Sequence, residues 1–175
     1  MLYCGKSKEV MAVRQERTDR ERLFDDAVLL YLWSEAAGRS SDGAAGSRLK
    51  LTKLAFLAAN DFYWNKIKAV NLPFYRYKWG PYAKEINSNW LDLADSGLLV
   101  EDEQFWVTEQ GRRLASDFGR EVLGLEENRH VRLTLDEIVD RYGAMQTDEI
   151  LRYVYDMRCF TLESEIGRAS CRERV

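Results

Sequence analysis

Apolar residues recur at helical spacing along most of this chain and predict a series of amphipathic helices. The first opens at Thr18-Asp19-Arg20-Glu21, a capping-box pattern in which hydroxyl and carboxylate satisfy each other's orphan backbone donors. Leu23, Phe24, Ala27, Val28, Leu30 and Tyr31 then form one broad stripe. The Gly-, Ser- and Ala-rich run from Gly38 to Gly46 reads as a flexible loop. Ser47 is placed to cap a second helix, in which Leu51, Leu54, Ala55, Ala58 and Phe62 repeat. Lys50, Lys53, Lys66 and Lys68 fall on its other faces or just past its end, expected near Ile67.

The segment Phe74–Trp79 alternates aromatic and basic residues before Trp79-Gly80-Pro81, which reads as a turn because proline disfavours helical backbone in the residue before it. Pro81 suits the first position of a third helix, with Ile86, Trp90 and Leu93 on one face and Gly97 as its stop. Two apolar runs, Leu98–Val100 and Phe105–Val107, flank Glu101–Gln104 and predict a β-hairpin. Thr108 caps a fourth helix carrying Leu114, Phe118 and Val122. Thr134-Leu135-Asp136-Glu137 is a second capping box ahead of Ile138, Val139 and Tyr142, and Thr147 opens a last helix through Ile150, Leu151 and Val154. Helix, helix, turn, helix, hairpin, helix is the order of a winged helix-turn-helix. The expected fold is therefore mainly α: a winged helix-turn-helix-like helical domain with a small two-stranded β-hairpin and additional C-terminal helices. It forms one domain over 18–160, after an aperiodic extension at 1–17 and before a tail at 161–175.

Composition changes this picture little. The chain is 46% hydrophobic and 31% charged, an ordinary globular balance, and has no apolar run of membrane-spanning length. The last ten residues, Ile166–Val175, read IGRASCRERV and resemble the translation of a common sequencing adapter. Setting their three Arg and one Glu aside takes 26 basic and 29 acidic residues to 23 and 28, and the net charge from −3 to −5. Cys4, Cys159 and Cys171 form no paired motif, so a reducing cytoplasm is the expected compartment.

Catalytic chemistry has no pattern here. His130 is the only histidine and sits in a charged stretch, so it reads as a solvated side chain rather than a base or metal ligand. Phosphate-binding glycine loops are missing, and neither cysteine before the tail has a neighbouring base. No enzyme, cofactor or metal is expected. A winged helix invites a DNA-binding reading, but the signs oppose it. The third helix carries Glu85, Asp92 and Asp95 against Lys84, and the wing tip is Glu101-Asp102-Glu103. Nucleic acid is thus not the expected partner. The basic aromatic patch Tyr75, Arg76, Tyr77, Lys78 and Trp79 reads either as a strand with aromatics turned inward, or as a protein-binding surface.

Leu49–Leu57, reading LKLTKLAFL, followed by Tyr77–Ile86, reading YKWGPYAKEI, resembles the paired signature of the Panacea (SocA-like) antitoxin domain. The resemblance runs from about Arg48 to Met157; Thr52 stands where that family commonly has Gln, and KWGPYAKE is similar to a GPYS-type subgroup of winged-helix proteins of unassigned role. It implies a prokaryotic or phage-borne antitoxin that neutralises a toxin encoded nearby by direct complex formation, one branch acting as a proteolytic adaptor. The implied partners are that toxin and a protease or chaperone, with no membrane. The matching motif residues are Lys53, Trp79, Gly80, Pro81 and Glu85, and Tyr75, Tyr77, Lys78 and Tyr82 complete the expected contact region. Gly80 and Pro81 are read as shaping the turn, while Trp79 stays open between core anchor and partner contact. A winged-helix DNA-binding transcription regulator is the alternative, and a scaffold protein of a phage or mobile element a third reading.

Overall fold

Two helices whose middle stretches are buried all round make the centre of the molecule. In the computed structural model, which describes residues 17–77 and 80–157, these are α1 (Asp19–Arg39) and α2 (Arg48–Trp64). Val28–Trp33 of α1 and Lys50–Ala59 of α2 are buried without a break, as helices enclosed by other elements must be. The caps predicted for these two helices form. Thr18 and Glu21 complete the capping box of α1, and the Ser47 hydroxyl accepts the Lys50 N–H at the head of α2.

Around this pair run β1 (Tyr75–Tyr77), β2 (Gly80–Tyr82), α3 (Glu85–Asp95), β3 (Leu99–Glu101), β4 (Phe105–Val107), α4 (Glu109–Glu121), α5 (Arg129–Tyr142) and α6 (Thr147–Asp156). The mainly helical domain with its small hairpin is therefore as expected, and a second hairpin accompanies it. β3 and β4 pair antiparallel as the wing, with Leu99 opposite Val107 and Glu101 opposite Phe105. β1 and β2 pair antiparallel as a separate sheet, with Tyr75 opposite Tyr82 and Tyr77 opposite Gly80. Ile86, Trp90 and Leu93 of α3 face the core, and Gly97 ends that helix region at φ +70°.

Several expectations are corrected. Pro81 does not start a helix; it lies in β2 opposite Arg76, and α3 begins at Glu85. In an antiparallel pair closed by Tyr77 and Gly80, the next pair is not hydrogen-bonded, so proline's missing N–H costs nothing there. Thr134–Glu137 does not cap a helix, because Val131, Leu135, Ile138, Val139 and Tyr142 extend one buried stripe back to Arg129. The Gly38–Gly46 run is pinned rather than free. Ala44 and Ala45 are buried, the Ala45 N–H donates to the Phe105 carbonyl at 2.8 Å, and Phe105 N–H donates to Gly46 at 3.0 Å. Leu23 and Leu114, expected on apolar faces, are exposed; α4 instead packs through Gly111, Ala115 and Gly119. α2 stops at Trp64, where Lys66 turns left-handed (φ 60°) and the Ile67 N–H returns to the Phe62 carbonyl.

Arg17, assigned to the aperiodic extension, is docked. It donates to fully buried Asp25 at 2.7 Å and to Asn89 at 3.3 Å, while the Asn71 N–H donates to Asp25 at 2.8 Å. Asn89 also donates to Asp26, so this polar seam joins α1, the chain before β1, and α3. Burial pushes the Asp25 carboxyl up despite these donors, and raises Asp26 to about 6. The rest of the N-terminal extension and the tail from Arg158 lie outside the described residues, as do Lys78 and Trp79.

Candidate functional site

The two motif segments meet at one hydrogen bond. Lys53, expected off the apolar stripe, is 1% exposed, and its Nζ donates to the Pro81 carbonyl at 2.8 Å. Lys50, one turn earlier, is 4% exposed and donates to the Gly143 carbonyl at 2.8 Å. These ammonium groups are buried because β2, the turn after α5, and α6 close over that side of α2, leaving backbone carbonyls as their acceptors. Burial lowers both lysines, Lys53 to about 8. Gly80 holds φ +83°, and a side chain there would stand 3.5 Å from Lys53 Nζ and 3.6 Å from the Tyr155 ring. Gly80 thus combines a left-handed turn conformation with a place between α2 and α6.

What this anchorage presents outward is tyrosine. Tyr75 and Tyr82 are directly opposite across the ladder, and Tyr77 lies diagonal to Tyr82 on the same face. Their ring centroids are 5.7 Å apart for Tyr75–Tyr82, 5.4 Å for Tyr77–Tyr82 and 6.3 Å for Tyr75–Tyr77. Tyr75 and Tyr82 are half-buried, and Tyr77 is 57% exposed. The Tyr82 hydroxyl accepts a hydrogen bond from Asn87 of α3, which fixes that ring from the helix side. The inward aromatic packing considered from the sequence does not occur at Tyr77. Pro81, on the opposite face of the ladder, is the residue turned to the interior.

Of the sequence-predicted residues, the structure brings Lys53, Gly80 and Pro81 together as the anchor, and Tyr75, Tyr77 and Tyr82 as the surface. Glu85 starts α3 at the base of the hairpin, away from the tyrosine face's free end. Tyr155 of α6 was not anticipated, and its approach to Gly80 spans 75 residues of chain, beyond any local pattern. His130 is exposed on α5, and among the described residues no three His, Cys, Asp or Glu side chains converge on a metal site.

The wing is a poor phosphate surface. Arg48 lies over the rings of Trp90 (5.0 Å) and Phe105 (5.6 Å) and grips Glu101 with two hydrogen bonds, so its charge is already engaged. Asp102 and Glu103 at the wing tip, and Asp92 and Asp95 on α3, stay exposed.

Fold and site together define a helical domain with an acidic wing and a lysine-anchored hairpin that displays tyrosines. No family model matches the chain, and no curated protein matches it either. Among the described residues no helix is long and apolar enough to cross a membrane.

Proposed function

We propose that this protein is a cytoplasmic protein-binding module of the antitoxin type, which neutralises a genetically linked toxin by forming a direct complex. The observation that carries the binding part is the tyrosine face of β1–β2. Tyrosine offers a large, rigid, amphipathic contact with little side-chain entropy to lose, which is why it is favoured at the centre of protein interfaces. A two-stranded ribbon alone is marginal in water, and the Lys53–Pro81 bond supplies the support that keeps this one in place. The antitoxin part rests on the resemblance of Leu49–Leu57 and Tyr77–Ile86 to the Panacea signature; delivery of the toxin to a protease is the further role that resemblance implies.

Co-expression with each flanking reading frame tests this directly. The supported outcome is a neighbour that is toxic alone and harmless in a complex that co-purifies. Tyr77→Ser should then abolish rescue while costing only about 1 kcal/mol of stability, the worth of its ring contacts with Tyr75 and Tyr82. A toxic neighbour rescued equally well by Tyr77→Ser removes the hairpin from the interface.

The helix-helix-helix-wing order favours a DNA-binding regulator as the second reading. Its test is oligonucleotide binding at low salt, where even nonspecific affinity should emerge. The exposed carboxylates on α3 and the wing tip predict no binding there.

A further inference from the structure

A cleft of about 1220 Å³ opens at the base of the tyrosine hairpin, between the start of α1, the end of α2 and the start of α3. Pro73, two residues before β1, and Lys84, two residues after β2, both line it, so hairpin and cleft are continuous. Among the described residues, five cations line the cleft: Arg17, Arg22, Lys66, Lys68 and Lys84. Of the described lining residues Glu21 and Glu85 are the carboxylates, in a chain whose net charge is −3. Arg17 is engaged by Asp25, Arg22 by Asp19, and Lys68 lies 3.8 Å from Glu21. Lys66 and Lys84 are exposed and form no ion pair with any described residue.

Lys66 adds an independent sign. It occupies the left-handed position that ends α2 (φ 60°), where glycine is the residue without a steric penalty. The helix-ending bond from Ile67 N–H to the Phe62 carbonyl at 2.8 Å needs no side chain at this position. A lysine is therefore held here at a conformational cost, with its ammonium 5.1 Å over the ring of Tyr63, which also lines the cleft.

We propose that this cleft binds an acidic peptide segment of a protein partner, one that mixes carboxylates with apolar side chains. The cations supply the charge complementarity, and Ile67, Val70 and Pro73 supply an apolar floor. The two carboxylates decide against nucleic acid, whose evenly spaced phosphates would meet Glu21 and Glu85, whereas a peptide can place neutral groups opposite them. The proposal rests on the protein-binding reading above and extends it from the tyrosine face to the base of the hairpin.

The test is an NMR titration of the full-length, isotope-labelled chain with the synthetic peptide DELDFEEI. A carboxamide counterpart, NQLNFQQI, and a single-stranded oligonucleotide serve as the comparison probes. The acidic peptide is expected to shift the amides around Lys66, Lys68 and Lys84. Lys84→Gln and Lys66→Gly should each weaken it about 3- to 5-fold, as loss of one exposed ion pair does. Lys66→Gly should also unfold at the same or a higher urea concentration, because the strain is relieved as the charge is lost. Equal binding of the carboxamide peptide, shifts confined to the wing or the far helices, tighter binding of the oligonucleotide, or no shift at millimolar peptide overturns the proposal. Because the probe is not the toxin, the two readings fail separately. A peptide seated in the cleft with no toxic neighbour sinks only the antitoxin role; a toxin bound through Tyr77 with an indifferent cleft sinks only this one.

Discussion

Replacing Lys53 with methionine removes the ammonium while keeping an unbranched apolar stem of similar volume. Burial moves this lysine from the usual 10.5 to about 8, so the folded protein resists the charge that the unfolded chain accepts. A lowered lysine pKa gives stability that is complete above about 10.5 and is lost as pH falls towards 8. At about 1.4 kcal/mol per pH unit, holding the charge at pH 7 costs about 3 kcal/mol. The bond to the Pro81 carbonyl offsets part of this, and methionine would leave that carbonyl without its donor at a cost of about 1–3 kcal/mol. Lys53→Met should therefore lie within about 2 kcal/mol of wild type at pH 7. The decisive quantity is the pH dependence: between pH 7.5 and 9.5 the wild type should gain about 2 kcal/mol relative to Lys53→Met. Urea unfolding of both proteins at the two pH values measures it, and other titrations cancel in the difference. A difference that stays constant, or a wild type that loses ground as pH rises, would refute a buried, charge-resisting Lys53.

Gly111→Ala should cost about 3 kcal/mol in urea unfolding, because the added carbon would meet the Leu98 carbonyl at 2.3 Å and the Val107 side chain at 2.9 Å. Gly97→Ala, at φ +70° with open space around it, should cost only about 1 kcal/mol; equal losses at the two glycines would count against the packing at Gly111. Asp26, raised to about 6 by burial, carries a pKa above its unfolded value, so its contribution is intact near pH 4 and fades as pH rises through 6. Thermal unfolding at pH 4.5 and 6.5 should accordingly show wild type losing Tm relative to Asp26→Asn on the way up, and the opposite trend would overturn the burial argument.

The helices and the wing were legible because their signals are local. Thr18, Ser47 and Thr108 each cap the helix they precede, and Ile86, Trp90 and Leu93 show one face at one spacing. What escaped depends on distant chain. Helical spacing places Lys50 and Lys53 off the main stripe, yet β2, α6 and the turn after α5 cover that flank and supply two carbonyls. The proline rule excluded helix before Pro81, but it read Gly80 and Pro81 as a turn and a helix start where both lie in β2, at a position with no N–H demand. The Gly38–Gly46 run shows the same limit. Its composition reports conformational freedom in isolation, which the local turn around Asp42 and the bonds to Phe105, nearly sixty residues on, remove. For the candidate site, the aromatic-basic alternation marked the segment that forms β1. Which face the tyrosines would take was fixed by the register of β1 on β2, in particular Tyr75 opposite Tyr82.

The contact between the two motif segments separates architecture from recognition. Lys53 and Pro81 satisfy each other, and Gly80 supplies the left-handed backbone (φ +83°) that lies beside the Lys53 ammonium and the Tyr155 ring. These three are occupied in holding the hairpin against α2 and α6, and on the proposed reading each would act on a partner only through the position of the tyrosines. Tyr77 differs: more than half exposed and opposite a glycine, it meets the fold through the rings of Tyr75 and Tyr82. Changes at Lys53 or Gly80 should then move stability and binding together, whereas changes at Tyr77 should move binding far more than stability. A hairpin in which the motif residues altered binding with no effect on stability would have its roles assigned the wrong way round.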